Sequence, residues 1–255
     1  MAQRRRVSPL LAAIVAVIAI AATALAPAAL VGSHLSRVTR GGIRLVDSAG
    51  TIWHGRGVLA AGAARVPVAW RVEALPLLRG ELRVAIGPEP GTPAGWPHAG
   101  VTISGDRVSL RDVHATLPVG PLAAAAGVNS AWVAGGELDV DAASILWAPP
   151  SNQGAVEVRW RRARIVVAGN PRPLDLGDVA ATLTADRDVL SGPVSNVSGD
   201  LGLRGEIRLR AGDALRLSLV LTPRRADDIE LARALAVLGA ADGTGWRVEL
   251  RLPLQ

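Results

Sequence analysis

The sequence contains no cysteine, no lysine, no phenylalanine and no tyrosine among its 255 residues. Without cysteine the chain has no disulfide, no thiolate zinc site, no iron–sulfur cluster and no cysteine nucleophile. Without lysine it cannot contain the phosphate-binding Gly-x-x-x-x-Gly-Lys loop of nucleoside triphosphatases. Composition alone therefore excludes several large classes of enzyme.

Other signatures of catalysis are missing as well. The sequence has no Gly-x-Ser-x-Gly element of the kind that holds the nucleophile of serine hydrolases. Its four histidines lack the i, i+4 spacing of helical metal sites. We therefore predict no catalytic residues, no metal site and no cofactor, and we do not expect an enzyme.

The net charge of +6 is concentrated at the amino terminus. Arg4, Arg5 and Arg6 supply half of it, and the rest of the chain carries 25 arginines against 22 acidic residues. A nearly balanced chain of this kind lacks the broad basic excess of nucleic-acid-binding proteins. We expect no nucleic-acid partner.

An apolar run follows the three arginines and extends from Leu10 to Val31 without a charged residue. As a helix it would be about 33 Å long, enough to cross the hydrocarbon core of a bilayer. The basic residues before it favour a cytoplasmic amino terminus over residues 1–9. We predict a single-pass transmembrane anchor at residues 10–31, with residues 32–255 on the far side of the membrane.

A cleaved signal peptide is the alternative interpretation of this run. Ala24-Leu25-Ala26 offers the small residues of a cleavage site. Pro27 is unfavourable directly after a cut, and the run is longer than a usual signal core. The uncleaved anchor is therefore the preferred interpretation.

Apolar residues alternate with polar ones over many short segments after residue 43. Leu215, Leu217, Leu219 and Leu221, for example, are separated by single residues, as in a strand with one face buried. Glycine-containing turns such as Gly105-Asp106 and Gly135-Gly136 separate the segments. The pattern predicts a mainly β, antiparallel domain built as a curved sheet or a sandwich.

One short helix is predicted near the carboxyl terminus. Leu231, Leu235 and Leu238 share a helical face, acidic residues precede them, and Gly239 can end the helix. A proline-containing break near residues 148–154 offers a division of the β region into two lobes. Whether the domain has one lobe or two stays open at this point.

The most basic segment beyond the amino terminus surrounds Trp160. An exposed strand face explains it, with a change of alternation near Arg162 that is typical of a β-bulge. Contact with anionic lipid headgroups is the alternative. Its members are Arg159, Arg161, Arg162 and Arg164.

A second distinctive segment reads Gly-Thr-Ile-Trp-His-Gly-Arg from residue 50 and continues to Trp70 and to a Leu-Leu-Arg-Gly element. It resembles the type II secretion system protein N family, also called general secretion pathway protein N (GspN). Leu77 and Leu78 of the Leu-Leu-Arg-Gly element match the family. The matching positions that are also candidate contact residues are Gly50, Thr51, Trp53, Gly55, Arg56, Trp70 and Gly80. The Leu-Thr-Pro element at residue 221 and the tail that follows it are similar too.

The resemblance implies an accessory inner-membrane subunit of the apparatus that exports folded proteins from the periplasm of Gram-negative bacteria. It implies no enzymatic activity and a role in assembly or bridging, with the secretin and inner-membrane platform proteins as partners. For Trp53 and Arg56, packing in the fold is the preferred interpretation over direct contact. A membrane-anchored periplasmic groove that handles lipids is the alternative function, suggested by many alternating strands beside an anchor.

Overall fold

The computed structural model describes residues 26–38, 41–42, 44–62, 64–88, 97–120, 123, 133–148, 151–166, 173–210, 214–225, 229–243 and 245–253. The predicted cytoplasmic segment and most of the predicted anchor lie outside these residues. Among the described residues, no helix combines the length and the apolar character needed to cross a bilayer.

Fourteen antiparallel strands form a single sheet in the described part of the chain. Each strand pairs with the next one in the sequence, except that β14 lies between β12 and β13. The strands are β1 (Arg44–Gly50), β2 (His54–Ala61), β3 (Ala64–Glu73), β4 (Glu81–Gly87), β5 (His98–Ser104), β6 (Arg107–Pro118), β7 (Val133–Trp147), β8 (Gln153–Ile165), β9 (Leu174–Asp186), β10 (Val189–Asn196), β11 (Leu201–Arg210), β12 (Ala214–Pro223), β13 (Ala240–Asp242) and β14 (Gly245–Pro253).

Three of the helices beside the sheet are described from end to end. Helix α1 (Ala29–Val38) packs on β1, where Gly32 lies against Leu45. Helix α2 (Ala74–Leu77) is a single turn between β3 and β4. Helix α3 (Ile229–Leu238) confirms the helix predicted near the carboxyl terminus.

The predicted alternation places one apolar face across the whole sheet. The strand register aligns Leu82 with Ile103, Ile103 with Val108, and Val108 with Trp147. Because side chains two residues apart share a face, the neighbouring row of Val84, Val101, Leu110 and Ile145 lies on that face too. The mainly β, antiparallel prediction is confirmed, in the form of one sheet.

The contiguous buried cluster lies in the carboxyl-terminal half of this face, whereas Val68 of β3 is buried apart from it. Leu201 and Leu235 are completely buried, and Leu235 brings α3 onto the strands. The core cluster joins residues of β8 to β12 and β14 with α3. On β4, β5 and β6, in contrast, no described side chain is fully buried. The apolar face therefore changes from covered to open along the sheet.

Two sequence features behave differently in the structure from what their residues suggested. Gly135 and Gly136, whose pairing is typical of a turn, lie inside β7 with positive φ, where the β7–β8 register shifts. The break near residues 148–154 is a hairpin connection, because β7 and β8 pair up to Leu146 and Gln153. The sheet is continuous across it.

Two backbone hydrogen bonds join the first described residues to the β1–β2 corner. The backbone N–H of Ile52 donates to the carbonyl of Ala26, and the N–H of Ala28 donates to the carbonyl of Gly50. Residues 29–31, the end of the predicted anchor, lie in α1. The transmembrane anchor stays a prediction.

Replacing Leu235 with alanine is expected to lower the free energy of unfolding by about 2–5 kcal/mol, because the side chain is completely buried in the core. Urea titration of the full-length protein in mild detergent measures the change. Leu78→Ala is the control, since Leu78 is exposed, and its effect should stay within about 0.5 kcal/mol. Equal losses in both variants would contradict this location of the core.

Candidate functional site

The Gly-Thr-Ile-Trp-His-Gly element forms the corner between β1 and β2. Gly50 ends β1 with a φ of +92°, and a side chain there would lie 2.4 Å from the carbonyl oxygen of His54. The N–H of Thr51 donates to that carbonyl at 2.8 Å. The hydroxyl of Thr51 accepts from the N–H groups of Trp53 and His54 at 3.3 and 3.2 Å. Glycine and threonine are thus needed to close the corner.

Trp70 of β3 packs against this corner and forms a hydrogen bond with it. Its indole Nε1 donates to the carbonyl of Ile52 at 3.1 Å. Its ring lies directly over Gly55, so that an added Cβ would stand only 2.2 Å from Cζ2. The close approach requires glycine at this position, which explains why these motif residues occur together.

The other motif residues lie around the same end of the sheet. Trp53 is half-buried, and its carbonyl accepts from the N–H of Val72 at 2.7 Å. Arg56 is exposed on the face opposite the apolar one, beside Ala69 of β3. Gly80 has a φ of +73° and ends the connection to β4 in open space. The structure thus brings six of the seven motif residues to one corner and places Gly80 in the neighbouring connection.

Acidic residues of β7 neutralise part of the predicted basic segment on β8. Arg161 Nη2 donates to Asp139 Oδ1 at 2.9 Å, while its Nε lies 2.5 Å from Asp139 Oδ2 without hydrogen-bond geometry. Arg162 Nη2 is 3.0 Å from Glu137 Oε2. Arg159 and Arg164 are exposed on the same strand. This arrangement favours the exposed-strand interpretation over a free cationic patch.

The β-bulge predicted near Arg162 is confirmed. Arg162 has a φ of +50°, and the register between β8 and β9 shifts between Trp160 and Ala163. The N–H of Arg162 donates to Asp178 Oδ1 at 2.9 Å, which satisfies the group that the bulge removes from the ladder.

Histidines that are distant in the sequence meet on the polar face. His98 and His114 are register partners on β5 and β6, with ring centroids 5.4 Å apart. His114 Nδ1 lies 2.5 Å from Asp141 Oδ1 of β7. Sequence spacing gave no signal for this contact, because it depends on strand register. Within the described ranges, no group of three histidine, cysteine or acidic side chains is arranged to hold a metal ion.

An apolar cleft of about 200 Å³ lies at one end of the open face. The exposed ring of Trp147 stands beside it, and Asn152 and Arg187 flank it from the connecting turns. Its apolar lining comes from Ile145, Trp147, Val156, Ala185, Val189, Leu190 and Leu209. Sequence reasoning missed the cleft, although each residue belongs to a predicted alternating segment, because pairing decides which strand ends meet.

Comparison with protein families gives a match over most of the chain. A family model described as "Type II secretion system (T2SS), protein N" matches residues 41–249. The match begins just before β1, ends within β14 and includes all seven motif residues. No curated protein and no solved structure matches the chain.

Gly55→Ala is expected to destabilise the protein by about 1–3 kcal/mol, because the new methyl group would overlap the indole of Trp70. Thermal or urea unfolding of the full-length chain measures this loss. Gly87→Ala is the matched control, since a Cβ there meets nothing within 4 Å. The two changes having the same effect would argue against a tight Gly55–Trp70 contact.

Proposed function

Because this chain belongs to the type II secretion system protein N family, and so is a component of that secretion system, we propose that it is an accessory inner-membrane subunit acting in assembly or bridging of the apparatus. The family match over residues 41–249 carries this conclusion. Members of the family are structural components of secretion machinery, and the family is not known as an enzyme family. The secretin and the inner-membrane platform proteins are the proposed partners.

In this proposal the apolar run of residues 10–31 anchors the protein in the inner membrane up to the point where Ala26 and Ala28 join the sheet, and the sheet lies in the periplasm. The uncharged run and the preceding arginines support the orientation. The described fold supports a bridging role, because a sheet of this length extends far beyond a compact domain. Fourteen strands at about 4.8 Å spacing would span about 60 Å from edge to edge if laid flat.

The two edges of the sheet differ in how they are covered. Helix α1 packs on β1 at one edge. At the other edge β13 pairs only with Gly245–Arg247 of β14, so residues 248–253 have no outer neighbour among the described strands. An open strand edge can bind a partner by adding a strand. The β14 edge is therefore the proposed bridging surface.

A charged pair holds the short β13 hairpin against β14. Arg247 Nη2 and Nε donate to Asp242 Oδ2 at 2.8 and 3.2 Å. This hydrogen bond, and then the negative charge of Asp242, raise the pKa of Arg247 above its ordinary value. The pair joins β13 to β14 at the last residue of their pairing, so the open part of β14 begins at residue 248.

A photo-crosslinking residue at Arg251 of β14 is expected to form adducts with secretion subunits in native membranes. Arg251 is exposed on the open edge strand. Mass spectrometry of the tagged full-length protein and its adducts identifies the partners. Arg111, exposed in the middle of the sheet on β6, is the control position. Adducts from both positions, or from Arg111 alone, would contradict edge binding, and the absence of secretion subunits in any sample would count against the bridging role.

A second candidate function is lipid handling on the apolar face. The observation that favours it is the continuous apolar row from Leu82 through Trp147 to the cleft, since no described side chain of β4, β5 or β6 is fully buried. Acyl chains bury apolar surface without needing hydrogen bonds, and each buried methylene contributes about 0.8 kcal/mol.

Native mass spectrometry of the full-length protein, purified in mild detergent, tests this candidate. We expect co-purified lipid on the unchanged protein and its loss in Trp147→Glu, because the charge would enter the apolar cleft. Glu157→Gln on the polar face is the control. Protein that is lipid-free in every preparation would contradict lipid handling and leave the bridging role untouched.

A further inference from the structure

Among the described residues, most of the exposed large apolar side chains lie at one end of the sheet. On α2 and just after it, Leu75 is 79% exposed and Leu78 is 86% exposed. Ile103 and Trp147 continue the exposed surface along the same end, since they belong to the row that also contains Leu82. Val197 lies in the turn after β10 at the opposite end, and Leu30, which is 53% exposed, lies in α1.

The leucines are held in place by local structure. The N–H of Leu78 donates to the carbonyl of Leu75, and the N–H of Gly80 donates to the carbonyl of Leu77. Gly80 then takes a positive φ and returns the chain to β4. These hydrogen bonds close a turn in which Leu75 and Leu78 are exposed to solvent. We call this turn, residues 74–80, the leucine loop.

The leucine loop lies beside the point at which the amino-terminal apolar run enters the fold. The carbonyl of Ala26 accepts from Ile52 in the β1–β2 corner, and the next residue, Trp53, accepts from Val72 at the end of β3. The leucine loop begins two residues after Val72. Two strand spacings, about 10 Å, separate corner and loop.

Exposed cationic groups accompany the leucines. Arg79 lies in the leucine loop, and Arg71, the register partner of His54, lies on the strand before it. Leucines with neighbouring arginines suit the boundary between lipid headgroups and acyl chains, where the apolar side chains enter and the guanidinium groups meet phosphates.

We propose that the leucine loop docks on the lipid surface of the membrane that holds the amino-terminal segment. This inference rests on the membrane location proposed above. Docking at this end sets the strands upright on the membrane and turns the row from Leu82 to Trp147 toward the lipid. The polar face and the β14 edge remain available to protein partners.

The absence of cysteine allows a clean test, because Leu78→Cys and Val197→Cys each provide a single thiol for labelling. Both native side chains are more than four-fifths exposed, so neither change removes core packing. The full-length variants, carrying an environment-sensitive fluorophore, are reconstituted into vesicles of phosphatidylethanolamine and phosphatidylglycerol. A lipid with a spin label near its headgroup serves as the quencher.

We expect quenching at position 78 to be at least about threefold stronger than at position 197, since interfacial side chains lie about 5–10 Å below the headgroup surface. Adding Leu75→Asp to Leu78→Cys should reduce the quenching toward the value at 197. Equal quenching at both positions in protein that floats with the vesicles would overturn the docking proposal alone. Protein that does not float would overturn the proposed membrane location and docking together.

A protein partner for the leucine loop is distinguished by co-reconstitution. If the label at position 78 stays in water in vesicles and becomes protected only when inner-membrane secretion subunits are added, the loop is a protein contact and the lipid proposal is overturned. Protection in lipid vesicles without any other subunit supports it.

Discussion

The fold depends on one constraint. A single-layered sheet with one apolar face is stable only if part of that face is buried from water. The buried cluster on β8 to β12 and β14 meets the constraint with α3, whose Leu235 is completely buried. Helix α1 packs on β1, but on β4, β5 and β6 no described side chain is fully buried. Burial of apolar surface is the main favourable contribution to folding and association. A ligand, a membrane or a partner would therefore gain the most binding free energy by covering the open strands.

The family motif forms the corner between β1 and β2, beside the open part of the apolar face. Gly50 and Gly55 permit a corner too tight for side chains, and Trp70 covers it with a hydrogen bond to Ile52. Trp70 and the leucine loop are joined by three residues of β3. A change at the corner would therefore alter the position of the leucine loop without touching it.

On the polar face, charged side chains of neighbouring strands form ion pairs. Asp139 accepts from Thr116 and Arg161, and Glu137 pairs with Arg162. Each exposed ion pair contributes only about 0–1 kcal/mol to stability. The carboxylates of β7 nevertheless neutralise part of the positive charge of the arginines on β8. The basic segment is consequently a poor binding site for phosphates, whereas Arg71 and Arg79 accompany exposed leucines.

The sequence by itself determined the strand character, the antiparallel class, the bulge at Arg162, the carboxyl-terminal helix and the family. These follow from patterns within a few residues, since side chains alternate with a period of two and glycine or acidic residues mark ends. Only the tertiary structure decided that Gly135 lies inside a strand, that His98 meets His114 and Asp141, and that Glu137 and Asp139 face the arginines of β8. It also decided that the leucine loop stands beside the chain entry. Strand pairing joins residues tens of positions apart, and its register depends on the whole sheet rather than on any local pattern.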